Sequence, residues 1–334
     1  MSPDAPEEKR PADDARTEAP PPPVAIEIEG LTKAYDGKIA LDKLDLTIHE
    51  GEIFGYIGPN GAGKTTTLRI LAALLWPTSG SAKIHGADVV REPRRIKELV
   101  GYMPDSFGVY DNMTLLEYLD FFAAAFRIAR SRRRGVIDDV LALTDLGSKR
   151  DDQVSAFSRG MKQRACLAKT LLHDPKVLIL DEPASGLDPR ARIEFRELLR
   201  ELQNMGKTVI VSSHILTELA TICNTVGIIE TGKLVAAGEV EDILRSLSTH
   251  REFTLDLLDR TDSERTVGIL EKTSGVKQVK PLGASIRFAL QATEPEVAAL
   301  IEHLVSERIR FTAFQEERVD LETAFLTLTK GKLA

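Results

Sequence analysis

The chain of 334 residues has little cysteine and few aromatic residues: two cysteines, Cys166 and Cys223, one tryptophan and 5% aromatic residues in all. Two cysteines exclude a framework of several disulfides and a four-cysteine zinc site, and such scarcity is typical of a reducing compartment. No hydrophobic run approaches the roughly 18–20 residues that a membrane-spanning helix needs. The N-terminus also lacks a basic segment followed by an apolar core. We therefore expect neither a membrane span nor a secretory signal.

Positive charge is also in deficit. Lys and Arg number 44 against 51 Asp and Glu, which gives a formal net charge of −7. An acidic chain is a poor candidate for binding nucleic acid through its net field, although a local basic patch could still do so. No nucleic-acid partner is expected. Hydrophobic residues make up 43% and charged residues 28%. This balance is that of a globular protein, and the length suits about two domains.

The composition changes along the chain. Proline and acidic residues dominate residues 1–23 and apolar side chains are scarce there, so we expect a disordered leader. From Val24 hydrophobic and polar residues alternate as in a strand, and this first pattern gives out after residue 235. The predicted domains are residues 24–245, mainly helical at about 104–170, and residues 251–334. In the second, strands alternating with two helices predict a small α+β sandwich of ferredoxin type, closed by a helix at 321–328.

The strongest motif matches G-x-x-x-x-G-K-[ST], the phosphate-binding loop. It consists of Gly58, Pro59, Asn60, Gly61, Ala62, Gly63, Lys64 and Thr65. A predicted buried strand precedes it and a predicted helix at 65–75 follows it, which is the context that its mechanism requires. Glycines let backbone N–H groups converge on phosphate oxygens, and the helix N-terminus adds positive charge. Lys64 would reach the β- and γ-phosphates, and Thr65 would ligate Mg²⁺.

A second predicted strand, residues 177–180, runs into Asp181 and Glu182. A carboxylate at the end of a strand can hold Mg²⁺ through a water, and the next acid can polarise an attacking water. Alone, such a pair is usually only a strand terminus in a turn. Downstream of a phosphate loop it instead predicts nucleotide hydrolysis. Both motifs together indicate an α/β P-loop NTPase.

Three further segments narrow the family. They are Ser158-Arg159-Gly160-Met161-Lys162-Gln163-Arg164, Ser185-Gly186-Leu187-Asp188 and His214. With the first two motifs, this set resembles the nucleotide-binding subunit of ATP-binding cassette (ABC) transporters over about residues 24–245. The resemblance implies a RecA-like core with an antiparallel β edge and a helical subdomain. It also implies ATP and Mg²⁺ as cofactors, ATPase activity and a head-to-tail dimer that drives an integral membrane permease from the inner face of the membrane.

The same resemblance assigns roles to single residues. Glu182 is implied as the catalytic carboxylate and His214 as the residue that senses the γ-phosphate, although a lone histidine after a strand is usually structural. Tyr35 is implied to stack on adenine, and without the family it would be an ordinary strand tyrosine. The remaining implied nucleotide contacts, beyond the phosphate loop, are Thr66, Ser158, Arg159, Gly160 and Asp188. The implied metal ligands are Thr65, Asp105 and Asp181.

Two positions depart from the family pattern. Family members usually have glutamine at Asp105 and glycine at Arg159. The changed charge at both positions favours slow hydrolysis, which leaves open an attenuated or regulatory subunit of a heterodimer. A soluble cassette ATPase that acts on ribosomes or DNA is a weaker alternative, because the chain has one phosphate loop and no sustained heptads.

Two other segments bear on the partner. The stretch at 320–326 resembles the end of an accessory domain found on ATPases that pair with separately encoded exporter-type permeases. The basic cluster at 130–134 has the charge to meet anionic lipid headgroups. A solvated helix end explains that cluster more simply and is the favoured interpretation.

Overall fold

A computed structural model describes residues 23–317 apart from 107, 109, 111, 215–218, 220–221, 241 and 244–250. The predicted leader, except for Pro23, and the predicted helix at 321–328 lie outside the described residues. In the part of the chain that is described, no helix is both long and apolar enough to cross a membrane.

The first unit combines ten strands and six α-helices in its described residues. Strands β1–β10 are Val24–Tyr35, Lys38–His49, Ile53–Ile57, Ser79–Ile84, Ala87–Asp88, Val100–Met103, Val177–Leu180, Thr208–Ser213, Thr225–Glu230 and Lys233–Glu239. Helices α1–α6 are Lys64–Leu71, Pro93–Leu99, Leu115–Ala125, Arg130–Leu143, Arg159–Leu171 and Pro189–Asn204.

Two sheets form this unit. The antiparallel sheet has the order β2-β1-β4-β5, and the alternation predicted at its start is observed, with Ile26 and Ile28 buried between more exposed glutamates. The second sheet has the order β10-β9-β3-β8-β7-β6 and is parallel from β9 to β6. Every residue of β3, β7 and β8 is buried, as expected for parallel strands covered on both faces. The predicted α/β core is confirmed.

Neighbouring parallel strands have their carboxyl ends at the same edge of the sheet. Ligands bind at this edge in open α/β sheets. Here β8 lies between β3 and β7. The phosphate loop follows β3, Asp181 and Glu182 follow β7, and His214 follows β8. Strand order alone therefore assembles segments that are far apart in sequence.

Helices α3, α4 and α5 form the helical part between β6 and β7. Thr114 and Glu117 make the predicted capping box at the start of α3: the Thr114 hydroxyl accepts the Glu117 N–H, and the Glu117 carboxylate accepts the Thr114 N–H. Buried side chains of the three helices, among them Tyr118, Ile137 and Cys166, pack in one hydrophobic cluster with side chains of the parallel sheet. The basic cluster at 130–134 occupies the first turn of α4.

The second unit has four strands and two α-helices in its described residues. Strands β11–β14 are Arg251–Leu257, Val276–Leu282, Ser285–Leu290 and Phe311–Glu317, and helices α7 and α8 are Ser263–Leu270 and Glu294–Ser306. The antiparallel sheet has the order β12-β13-β11-β14, the strand order of a ferredoxin-like sandwich. Phe253, Leu255, Phe288, Leu300 and Leu304 belong to its core. The predicted α+β architecture is confirmed.

The helix predicted at 65–75 is shorter than expected. It ends at Leu71, and Ala73 adopts a φ of +52°, in the left-handed region. An L-residue there breaks the helical repeat, although the hydrophobic spacing continues through Leu74 and Leu75. The spacing of apolar residues does not show where the backbone leaves the helical conformation, so it could not predict the end of this helix.

Candidate nucleotide-binding site

A cavity of about 440 Å³ lies at the carboxyl edge of the parallel sheet. It is lined by Ala40, Pro59, Asn60, Gly61, Gly63, Lys64, Thr65, Thr66, Asp105, Arg159, Glu182, Ser185 and His214. The structure thus brings most of the phosphate loop together with the predicted catalytic residues. The cavity is polar, and its lining comes from segments that follow several different strands.

Two glycines shape the phosphate loop. A Cβ on Gly58 would lie 2.3 Å from the Ile229 carbonyl oxygen, and one on Gly63 would lie 2.7 Å from the Ala40 carbonyl oxygen. Gly63 also has a φ of +111°, which side-chain-bearing residues rarely adopt. The loop can take this path only with glycine at these positions, because it packs directly on neighbouring backbone.

Lys64 is the first residue of α1 and is only 6% exposed. Its Nζ donates to the carbonyl oxygens of Gly58, at 2.6 Å, and Pro59, at 3.3 Å, and lies 3.4 Å from Glu182 Oε1. Burial lowers the pKa of Lys64, while the nearby Glu182 carboxylate opposes that shift. The ammonium is therefore held at the base of the loop, where a phosphate would meet it.

Asp181 directly follows β7 and is fully buried. The Ser212 hydroxyl donates to Asp181 Oδ1 at 2.7 Å, and Oδ2 is buried with no hydrogen-bond partner in the described part of the chain. Burial raises the pKa of Asp181, and the hydrogen bond from Ser212 opposes this. An unpartnered buried carboxylate oxygen is costly unless a ligand satisfies it.

These residues fit a magnesium ion. Mg²⁺ prefers oxygen ligands and in nucleotide sites takes one or two protein groups together with the phosphates. Asp181 has a spare oxygen, and Thr65 and Asp105 line the adjoining cavity. The described residues contain no group of three or more His, Cys, Asp and Glu side chains that could hold a metal by themselves.

Glu182 lies at the centre of the site. His214 Nδ1 is 2.7 Å from its Oε2, and Lys64 Nζ is 3.4 Å from its Oε1. The Glu182 backbone has a φ of +50°, a strained value for a residue other than glycine, and strained residues of this kind cluster at active sites. The two basic side chains aim this carboxylate at the cavity.

The comparisons with known proteins agree with this geometry. The sequence profile of the ABC transporter family matches residues 41–185. The uncharacterised ABC transporter ATP-binding protein YhcH of Bacillus subtilis (strain 168) is 34% identical over 308 residues, which cover 91% of this chain and 95% of YhcH. The chain belongs to the family of ABC transporter ATP-binding proteins. The family assignment made from the motifs is confirmed.

Two further similarities support the same family. The Nod factor export ATP-binding protein I of Paraburkholderia xenovorans (strain LB400) is 38% identical over 225 residues, covering 67% of this chain and 74% of that protein. The solved structure of an ATP-binding subunit of an ABC transporter is 29% identical with a TM-score of 0.61, covering 66% of this chain and 92% of that one. As a member of this family the chain is an ATPase subunit that powers transport through a partner permease.

Not every predicted ABC site residue lines the phosphate cavity. Ser158, Gly160 and Asp188 line a second surface cavity of about 430 Å³, between the start of α5 and the start of α6. Ser158 and Asp188 also cap these two helices, accepting the backbone N–H groups of Met161 and Ala191. Their predicted contact with a second subunit's nucleotide stays a prediction.

Tyr35 also lies outside the residues that line the phosphate cavity. Its side chain is 43% exposed at the end of β1, and Lys33 Nζ lies 5.0 Å from the centre of its ring. An exposed ring is available for stacking, so its role toward adenine stays a prediction.

Arg159 lines both cavities, and its predicted contact with a second subunit's nucleotide stays a prediction. Its Nε donates to the Ser185 carbonyl oxygen of its own chain at 3.0 Å, and its side chain lines its own chain's phosphate cavity. Gly186 lies under the guanidinium, since a Cβ there would be 2.7 Å from Arg159 Cζ. In this single chain Arg159 ties α5 to the Ser185–Asp188 loop.

Asp105 follows β6 and lines the same cavity. Its Oδ1 accepts the Ser106 N–H at 2.8 Å. One oxygen is thus used to form a local turn, and the side chain is shorter than the glutamine that the family usually has. Its role as a metal ligand stays a prediction.

Replacing Arg159 by glycine is expected to raise the basal ATPase rate of the isolated subunit by roughly 2–10-fold. The reason is that the change releases the Ser185–Asp188 loop and clears a cation from the cavity, and a single hydrogen bond of this kind is worth about 0.5–1.5 kcal/mol. Steady-state phosphate release measures the rate.

Arg200→Ala is the matched control, because Arg200 pairs with Glu197 on the exposed face of α6, and neither residue belongs to the Ser185–Asp188 loop or lines the phosphate cavity. The control should leave the rate unchanged. A rate for Arg159→Gly at or below that of the wild type would show that the arginine does not restrain the site.

Proposed function

We propose that this subunit binds Mg²⁺–ATP between two cassette subunits arranged head to tail and powers a separately encoded, exporter-type permease at the inner face of the membrane. The observation that carries the proposal is the convergence of Lys64, Glu182 and His214 on one polar cavity, with the buried Asp181 directly before Glu182 in the chain. A structural ion-pair network alone does not account for a phosphate-loop geometry that only glycine permits.

Each group has a defined task in this proposal. The phosphate loop and Lys64 bind the phosphates of ATP. Asp181 and Thr65, with Asp105 beside them, would hold Mg²⁺, which supplies charge stabilisation for the transferred phosphoryl group when it is bound. Glu182 accepts hydrogen bonding from the attacking water and takes its proton, and His214 orients the Glu182 carboxylate.

Two sequence similarities support the proposal that the permease is of the exporter type. One relative is named as a Nod factor export protein, and YhcH matches this chain over 91% of its length, so the likeness extends beyond the cassette into the second unit. Closure around ATP would drive the permease because ATP binds the closed dimer better than the open one.

The presence of Arg159 in the chain's own cavity and of Asp105 beside it favours a second candidate, an attenuated or regulatory subunit that hydrolyses slowly by itself. The two candidates differ in the partner that they require. An active homodimer needs only the permease, whereas an attenuated subunit needs another cassette.

Purification of the tagged full-length chain from detergent-solubilised membranes tests the proposal. We expect it to retain a multi-span membrane protein, and reconstitution of that complex in lipid vesicles should raise ATPase activity above that of the isolated subunit. Co-purification of a different cassette subunit would favour the regulatory candidate. Recovery with ribosomes or DNA instead of a membrane protein would overturn both.

A further inference from the structure

One buried serine connects the two acidic residues of the site. Ser212 lies in β8 and has no solvent exposure. Its hydroxyl accepts the Glu182 backbone N–H at 2.9 Å and donates to Asp181 Oδ1 at 2.7 Å. A serine hydroxyl has one hydrogen to donate and lone pairs to accept, so both bonds can exist together and each has a fixed direction.

The bond to Asp181 orients its carboxylate. With Oδ1 occupied by the hydroxyl, rotation of the carboxylate about its bond to Cβ is restricted, and Oδ2 keeps its unpartnered position. A buried oxygen that is held in place without a partner is ready to ligate a cation at no further ordering cost. Groups that hydrogen-bond to metal ligands in this way typically change metal affinity when they are removed.

The bond to Glu182 acts on the backbone. Glu182 has a φ of +50°, and its N–H points to Ser212 in this conformation. Left-handed backbone is unfavourable for glutamate, so a partner is needed to keep the turn in place. This backbone conformation places the Glu182 carboxylate between Lys64 and His214.

We propose that Ser212 is a positioning residue for ATP hydrolysis. Its single hydroxyl orients the Asp181 carboxylate toward the metal and holds the Glu182 backbone so that the Glu182 carboxylate faces the attacking water. This inference rests on the proposed roles of Asp181 and Glu182. The two bonds distinguish Ser212 from an ordinary core serine, because its hydroxyl joins two functional residues that follow the neighbouring strand β7.

The test compares Ser212→Ala with a matched control, Thr144→Val. Thr144 is equally buried, but its hydroxyl only donates to the Val140 carbonyl oxygen within α4, at 2.7 Å. Three quantities are measured on the full-length chain: kcat for ATP hydrolysis, the affinity for Mn²⁺ in the presence of ADP by electron paramagnetic resonance, and the affinity for a fluorescent ATP analogue without metal.

For Ser212→Ala we expect kcat to fall by roughly 10–100-fold and Mn²⁺ binding to weaken by about 10-fold, the usual effect of removing a group that supports a metal ligand. Metal-free nucleotide affinity should stay within about 2-fold, because the phosphate loop is untouched. Thr144→Val should change none of the three quantities. Ser212→Thr keeps the hydroxyl and should restore both kcat and Mn²⁺ affinity.

Wild-type kcat and Mn²⁺ affinity in Ser212→Ala, or failure of a folded Ser212→Thr to restore them, would overturn the inference. If alanine prevents folding, Ser212→Cys keeps the size, weakens the bridge and is judged by the same measurements. Asp181→Asn and Glu182→Gln are measured in parallel. If Asp181→Asn keeps Mn²⁺ affinity and Glu182→Gln keeps turnover, the proposed site itself is wrong. If Asp181→Asn loses Mn²⁺ affinity and Glu182→Gln loses turnover while Ser212→Ala keeps both, only the role of Ser212 is wrong.

Discussion

Lys64→Ala is expected to abolish nucleotide binding at millimolar ATP. Lys64 Nζ is held 2.6 Å from the Gly58 carbonyl oxygen at the base of the loop, so alanine removes the buried cation that faces the phosphates. Hydrogen bonds to charged groups are worth about 1.5–3 kcal/mol each, and loss of two such bonds weakens binding by roughly 100-fold or more. Equilibrium binding of a fluorescent ATP analogue measures the change.

Lys83→Ala serves as the control for the lysine variant. Lys83 forms an ion pair with Glu27 at 2.8 Å on the antiparallel sheet, and neither residue lines the phosphate cavity. It should bind the analogue like the wild type, because exposed ion pairs contribute little. Unchanged affinity in a folded Lys64→Ala protein would refute the assignment of the phosphate loop.

Glu182→Gln should keep ATP binding and lower kcat by at least about 100-fold, the usual loss when a general base is removed. The amide keeps the size of the side chain and its position beside His214, but it cannot take a proton from water. The bound nucleotide then persists, and we expect a stable dimer with ATP. Size-exclusion chromatography with and without ATP, together with phosphate release, measures both effects.

Glu201→Gln makes the same chemical change on the exposed face of α6 and should leave both measurements at wild-type values. A wild-type hydrolysis rate in Glu182→Gln would exclude Glu182 as the catalytic carboxylate. Loss of hydrolysis without an ATP-dependent dimer would keep Glu182 in its role and count against the head-to-tail dimer.

The sequence by itself determined the site's chemistry where that chemistry is local. The phosphate loop is one continuous segment between a strand and a helix, and two of its glycines are required by close contacts with neighbouring backbone. Asp181 and Glu182 were recognisable for the same reason, as the residues that end a buried strand. The elements of the second unit were also predictable, because alternation and helical spacing are properties of short windows.

Only the tertiary structure decided which of these segments meet. Ser212 and Asp181 are 31 residues apart, and Arg159 and Ser185 are 26 apart, and nothing in a local pattern pairs them. Their contacts depend on β8 lying beside β7 and on α5 packing against the Ser185–Asp188 loop, and strand order and helix packing are set by burial of the whole core. The role of Ser212 therefore could not be predicted from the sequence, because it depends on hydrogen bonds to residues that follow the neighbouring strand β7.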